Sequence, residues 1–157
     1  LKTAWYSCVV PLLAGATLAG ADPTMLGHLE RLGLALGVSF QLIDDDLGVF
    51  GTSEVTGKST LTDLRAGKRT ELIRLGFERA DAAQTAVLER HLGDPELDEA
   101  GAAEVRDVLV QTGAREAALR LSKRRAREAT RIAAERIPAP LSGYLVGFIA
   151  SLQGRVS

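Results

Sequence analysis

ADPTMLGHLERLGLALGVSFQLIDDDLGVFG, residues 21–51, is the stretch whose reading decides the fold. Asp22 followed by Pro23 has the form of a helix cap with proline at the first helical position, where the missing N–H would be unpaired in any case. From there Leu32, Leu36, Phe40 and Ile43 recur at three- and four-residue spacing, so they share one helical face. The pattern predicts one long helix that ends near Gly48 or Gly51. No segment of the chain shows sustained period-two alternation, and the whole chain therefore reads as all-α.

Upstream, a helix is predicted from about Lys2 to Ala19, with Gly20 as its stop and Pro11 as a bend. No side chain from Thr3 to Ala21 is charged, a length that could cross a bilayer. Pro11, Gly15, Gly20 and many alanines make it weakly hydrophobic, and no cleavage-site pattern follows Lys2, so the reading is a buried helix without a transmembrane segment. It starts without a capping residue, as expected of a segment cut from within a larger protein. Downstream, Gly51 to about Thr62 is rich in Gly, Ser and Thr and reads as a loop. A shorter helix with Leu72, Ile73 and Phe77 follows. Further helices are expected over Asp81 to Leu92, Leu97 to Gln111, Ala114 to Ile137 and Leu141 to Gln153, separated by Gly93-Asp94-Pro95, Gly113 and Pro138-Ala139-Pro140. Within the third of these stretches Ala118, Ser122, Ala126, Ala129, Ala133 and Ile137 form a stripe of small residues that lets another helix approach closely. Lys123, Arg124, Arg125 and Arg127 lie off it and read as a solvated face. With no internal repeat, residues 1–157 are expected to form a single all-α domain.

Composition narrows the function. At 46% hydrophobic and 25% charged residues the chain is globular, and a net charge of -1 gives no general attraction to nucleic acid or anionic lipid. Cys8 is the only cysteine, which excludes an internal disulfide and a cysteine-based zinc site and fits a reducing compartment, hence a cytoplasmic location. His28 and His91 are isolated and read as surface or capping residues. Trp5, Tyr6 and Phe40, at helical spacing, are expected in the core.

Asp44, Asp45 and Asp46 are where the chemistry concentrates. They sit at the end of the long helix, where the helix dipole is itself negative, and carboxylates about 5 Å apart repel by ~3 kcal/mol per pair at an effective dielectric of 20. A positive partner is required. Hard oxygen ligands suit Mg²⁺, which keeps several waters and takes one or two carboxylates plus substrate phosphates. Taken alone, three acids read better as a solvated acidic turn or an N-cap cluster. Beyond them, however, acid and base interleave: Gly57-Lys58, then Asp63, then Gly67-Lys68-Arg69-Thr70. Carboxylates for metals, and lysines on a flexible loop for the remaining phosphate charge, are what a metal-bridged diphosphate needs.

Residues 40–51 (FQLIDDDLGVFG), then Val55-Thr56-Gly57-Lys58, then Asp63-Leu64-Arg65-Ala66-Gly67-Lys68-Arg69-Thr70 resemble, in order and spacing, the second aspartate-rich region of trans-polyprenyl diphosphate synthases. Lys2-Thr3-Ala4, followed by Pro11 and the alanine-rich stretch from Ala14 to Ala21, resembles the Lys-Thr helix of the same family. The resemblance implies the C-terminal helices of the isoprenoid synthase fold. It also implies a 1'-4 condensation in which Mg²⁺ helps an allylic diphosphate ionise and isopentenyl diphosphate attacks the cation, giving a farnesyl, geranylgeranyl or longer diphosphate. Carried over, Asp44 and Asp45 hold Mg²⁺ and Asp63 orders a metal-bound water. Lys2, Lys58 and Lys68 hold the diphosphate, while Thr3 and Gln41 turn oxygen toward the developing cation. A homodimer is expected from the family alone.

Gly48 departs from the family's common pattern, which places an aspartate there, one turn after Asp44. Asp46 does not substitute, because two residues along a helix is about 200° around its axis; it is expected at the surface or behind the ligating carboxylates. The family's first aspartate-rich motif belongs upstream of Lys2. The isolated 157-residue chain is therefore expected to lack turnover without an N-terminal half. Two other readings stand beside this one: a silent regulatory or structural subunit of a heteromeric synthase, and a protein like a terpene cyclase. The second fits less well because the Gly57-Lys58 to Thr70 loop is unlike the metal motif of that class.

Overall fold

The computed structural model describes residues 2–51 and 61–154, with side chains from Thr3 onward. Every regular element among them is helical: α1 (Lys2–Ala4), a π-turn (Trp5–Val9), α2 (Val10–Leu18), α3 (Pro23–Phe50), α4 (Leu61–Arg65), α5 (Glu71–Arg79), α6 (Ala82–His91), α7 (Glu99–Gln111), α8 (Ala114–Arg136) and α9 (Leu141–Gln153). Two compact units divide them, Leu1–Ile43 with Leu121–Ser157, and Asp44–Arg120. Among the described residues no helix is long and apolar enough to cross a membrane.

In the first unit Asp22 caps α3, accepting from the Met25 N–H at 2.8 Å. The π-turn ahead of Pro11 takes up the ring and its missing N–H, with the Val10 N–H reaching back to Trp5 O. Small residues set the packing that follows. A Cβ at Gly37 would lie 2.5 Å from Ala4 Cα, and one at Gly33 would lie 3.0 Å from Val9 Cα. Ala4, Cys8 and Val9 are therefore the buried side of this segment, and burial pushes the Cys8 thiol pKa up. Trp5 and Tyr6 face away, 41% and 68% exposed, which corrects the expectation that they lie in the core. The reason is packing: the close approach to α3 selects the small side of an almost wholly apolar helix.

The small-residue stripe of α8 is buried along its length, and Lys123, Arg124 and Arg127 are exposed. Ser122 Oγ lies 3.0 Å from Ser39 Oγ, and Gln153 Nε2 donates to Ser39 Oγ at 2.9 Å. This neutral network satisfies two fully buried hydroxyls where α3, α8 and α9 meet.

In the second unit α5, α6 and α7 each start on a side-chain cap. Thr70 accepts from Ile73 N–H, Asp81 and Gln84 form a capping box, and Asp98 accepts from Gly101 N–H. Leu64, Leu72, Leu88, Leu97, Val105 and Leu109 make its core. Arginines pin the shorter pieces to it. Arg65 donates twice to Leu97 O, at 2.9 and 2.7 Å, and Arg106 Nε donates to Val49 O at 2.7 Å. His91 is largely covered and pairs with Glu104 at 3.0 Å, more enclosed than the surface role expected for it.

Candidate functional site

The three aspartates at the end of α3 separate by face. Asp44 is exposed, Asp45 is buried, and Asp46 is 1% exposed. A carboxylate that deep needs a countercharge, and Arg115, at the start of α8, supplies it. Its Nε reaches Asp46 Oδ1 at 2.8 Å and its Nη2 reaches Oδ2 at 3.1 Å, a bidentate pair. The guanidinium also stacks 3.9 Å from the centre of the Phe50 ring. Of the two places expected for Asp46, the surface is thus excluded: the side of α3 away from Asp44 is core. Arg115 itself was missed, because its partner is remote in sequence and nothing local to Gly113 announces it.

Asp63 lies in the short helix α4, whose end turns at Gly67 with φ +58. The turn folds Lys68 back, so that its N–H bonds to Asp63 O at 3.2 Å and its ammonium donates to Asp63 Oδ1. That hydrogen bond, chiefly, holds the Lys68 pKa above its usual value. Partial desolvation opposes it, and the charges of Asp63, Asp44 and Asp45 reinforce it. One ammonium is thus within the field of all three carboxylates. On the remaining side of Asp63 the chain leaves room for it: a Cβ at Gly48 would lie 2.6 Å from Asp63 Oδ2.

Asp44, Asp45, Asp63 and Lys68 are accordingly together in one unit. Thr3 and Gln41 belong to the other, Thr3 exposed on α1 and Gln41 half-buried on α3, as does Lys2, whose side chain is not described. Lys58, expected as a diphosphate ligand, lies outside the described residues. A cavity of about 740 Å³ in the second unit is lined by Arg69, Glu71, Ile73, Arg74, Phe77 and Glu89, among others, but not by Asp44, Asp45 or Asp63.

Only oxygen donors are offered by this acidic group, which suits a hard cation such as Mg²⁺. Among the described residues no three acidic, histidine or cysteine side chains are already arranged to hold a metal ion. The donor set fits an ion whose remaining ligands are water and phosphate oxygen, and not one enclosed by protein alone.

Residues 1–109 match the family model described as polyprenyl synthetase. The chain belongs to the polyprenyl synthetase family. Its helical fold is that of the isoprenoid synthases. A crystal structure of geranylgeranyl pyrophosphate synthase from Corynebacterium glutamicum, complexed with isoprenyl diphosphate and magnesium, superposes with a TM-score of 0.92 at 30% identity, over 98% of this chain and 44% of that one. Polyprenyl synthase from Caulobacter crescentus, complexed with calcium and isoprenyl diphosphate, gives a TM-score of 0.78 at 32% identity, over 92% of this chain and 44% of that one. Geranylgeranyl diphosphate synthase of Saccharolobus solfataricus is 35% identical over 96 residues, which are 60% of this chain and 28% of that protein. This polyprenyl synthetase chain thus spans less than half the length of the relatives it matches.

Proposed function

We propose that the chain supplies the allylic diphosphate side of a trans-prenyl diphosphate synthase, which condenses an allylic prenyl diphosphate with isopentenyl diphosphate in a 1'-4 sense. The observation that carries this reading is the Lys68 ammonium bonded to Asp63, with the charges of Asp44 and Asp45 also acting on it. Like charges gathered at a negative helix end are unfavourable without a ligand, and the oxygen donors with an adjoining lysine suit a metal-bridged diphosphate. Asp44 and Asp45 would hold Mg²⁺, with Asp63 ordering a bound water. When bound, that ion neutralises the departing diphosphate. Lys68, now bonded to Asp63, would exchange that contact for phosphate oxygen, and Lys58 and Lys2 are proposed as further phosphate ligands on the family resemblance. Thr3 and Gln41 are proposed, on the same ground, to face the developing cation. A cytoplasmic homodimer is part of this reading. The relatives' own substrates and ions, as their names give them, support it.

The test is calorimetric titration of inorganic pyrophosphate into the full-length protein with and without Mg²⁺, repeated for Asp44→Ala and Lys58→Ala. Mg²⁺-dependent binding that weakens by on the order of 10-fold or more in each variant is expected. Equal affinity in wild type and both variants would end the assignment and favour a silent subunit.

A further inference from the structure

Charge on α8 is not evenly compensated. Arg120 pairs with Glu116 and Arg125 with Glu128, whereas Lys123, Arg124, Arg127, Arg131 and Arg136 are exposed and have no hydrogen-bonded or ionic partner among the described residues. Arg131 and Arg136, near the end of α8, meet the start of α3 in a cleft of about 140 Å³, whose other lining residues are His28, Arg31, Ile132 and Glu135. Arg31 is already held in place: its Nε donates to Gly27 O at 3.2 Å and its Nη2 to His28 Nδ1 at 2.7 Å. A guanidinium only donates, so His28 Nδ1 is the acceptor and the neutral ring carries its proton on Nε2. The fork of Arg31 is thus fixed by its own helix, with its other N–H groups left for a ligand. Three guanidinium groups and one carboxylate line the cleft, an excess of positive charge in a chain whose net charge is -1. Glu135 forms no ion pair among the described residues.

We propose that this cleft between the start of α3 and the end of α8 is a binding site for a phosphoryl dianion, held by Arg31, Arg131 and Arg136. Like charges gathered without a counterion are unfavourable, and an anion between them removes that cost. A phosphate monoester carries a charge of about -2 and several acceptor oxygens, which guanidinium forks bind in pairs. The room is that of about five waters, enough for one phosphoryl group with any organic tail outside. The cleft shares no residue with the acidic group and calls for no metal ion, so it stands or falls independently of the function proposed above. Arg127 and Arg124 continue the positive face of α8 back from Arg131 at helical spacing, where they would touch a phospholipid surface but not a single free phosphate.

The experiment is equilibrium binding of inorganic phosphate to the full-length protein with a chelator present, which leaves no Mg²⁺-bridged site. Arg131→Gln and Arg136→Gln, which lose no partner within the fold, are each expected to weaken binding by on the order of 5- to 10-fold. Glu135→Gln removes the one opposing charge and is expected to tighten it. Arg90→Gln, the same change of charge at an exposed arginine of the second unit, and Lys68→Ala are expected to leave it unchanged. Flotation with phosphatidylcholine vesicles, with and without phosphatidic acid, separates the two sources of the phosphoryl group. Vesicle binding that needs phosphatidic acid and is lost in Arg131→Gln and in Arg124→Gln/Arg127→Gln identifies a lipid headgroup. Phosphate binding without vesicle binding identifies a soluble phosphomonoester, and either result upholds the site. Wild-type affinity in Arg131→Gln and Arg136→Gln, an equal loss in Arg90→Gln, a loss confined to Lys68→Ala, or binding of neither probe overturns the proposal.

Discussion

Gly37 and Gly48 stand on the same helix, and each fills a place where a side chain does not fit. At Gly37 the obstacle is backbone: a Cβ would lie 2.5 Å from Ala4 Cα and 3.2 Å from Ala4 O. Relief there requires α1 to move as a whole. At Gly48 the obstacle is the far end of one side chain, Asp63 Oδ2 at 2.6 Å, which can rotate away. The first glycine therefore sets the distance between two helices, and the second lies against a charged group that can move. Surroundings match this division. Near Gly37 the buried polar groups are the neutral hydroxyls of Ser39 and Ser122, satisfied by each other and by Gln153. Near Gly48 they are carboxylates that need cations.

The largest effect is expected from removing such a cation. In Arg115→Ala the Asp46 carboxylate, 2% exposed, is left buried without a countercharge. Breaking a buried pair in this way costs about 3 to 5 kcal/mol, measured by urea denaturation. Asp46→Leu added to the same chain is expected to recover most of the loss, since an apolar side chain there needs no partner. A loss under ~1 kcal/mol for Arg115→Ala would show that charge does not hold this end of α3, and the contrast between the two regions would fail.

Gly37→Ala comes next. Alanine is the better helix former by up to about 1 kcal/mol, yet overpacking against the Ala4 backbone is expected to give a net destabilisation of about 2 to 3 kcal/mol. The same denaturation measurement checks it. A neutral outcome would mean that α1 yields as easily as a side chain does, which removes the difference between the two glycines.

How much of this was legible in the sequence follows the same line between local and remote causes. Helix limits were legible because their causes are local: Asp22, Asp81 and Gly113 stand next to the ends they fix, and apolar spacing marks the long stretch of α3. The acidic cluster and the lysine after Gly67 could be picked out by residue type and order. Which face the first segment buries could not, because a helix apolar on nearly all sides has no period to show it, and the answer came from Gly33 and Gly37 across from it. Helix geometry set Asp46 apart from Asp44, but its burial against Arg115, remote in sequence, was not legible. Gly48 was legible as a departure from the family pattern, but that the Asp63 carboxylate of α4 lies against it was not.

The smallest effect on stability is expected at Gly48, and its smallness is what separates it from Gly37. Gly48→Ala gains helix propensity of up to about 1 kcal/mol. Against this stands the displacement of Asp63 and the loss of its pair with Lys68, whose side chain is 55% exposed. An exposed pair of that kind contributes about 0 to 1 kcal/mol, so the two terms nearly cancel and the denaturation midpoint should shift little. A destabilisation as large as that of Gly37→Ala would mean that Asp63 cannot rotate away. Its carboxylate would then be a fixed part of the packing, and Gly48 would be a residue of the fold before it is one of the site.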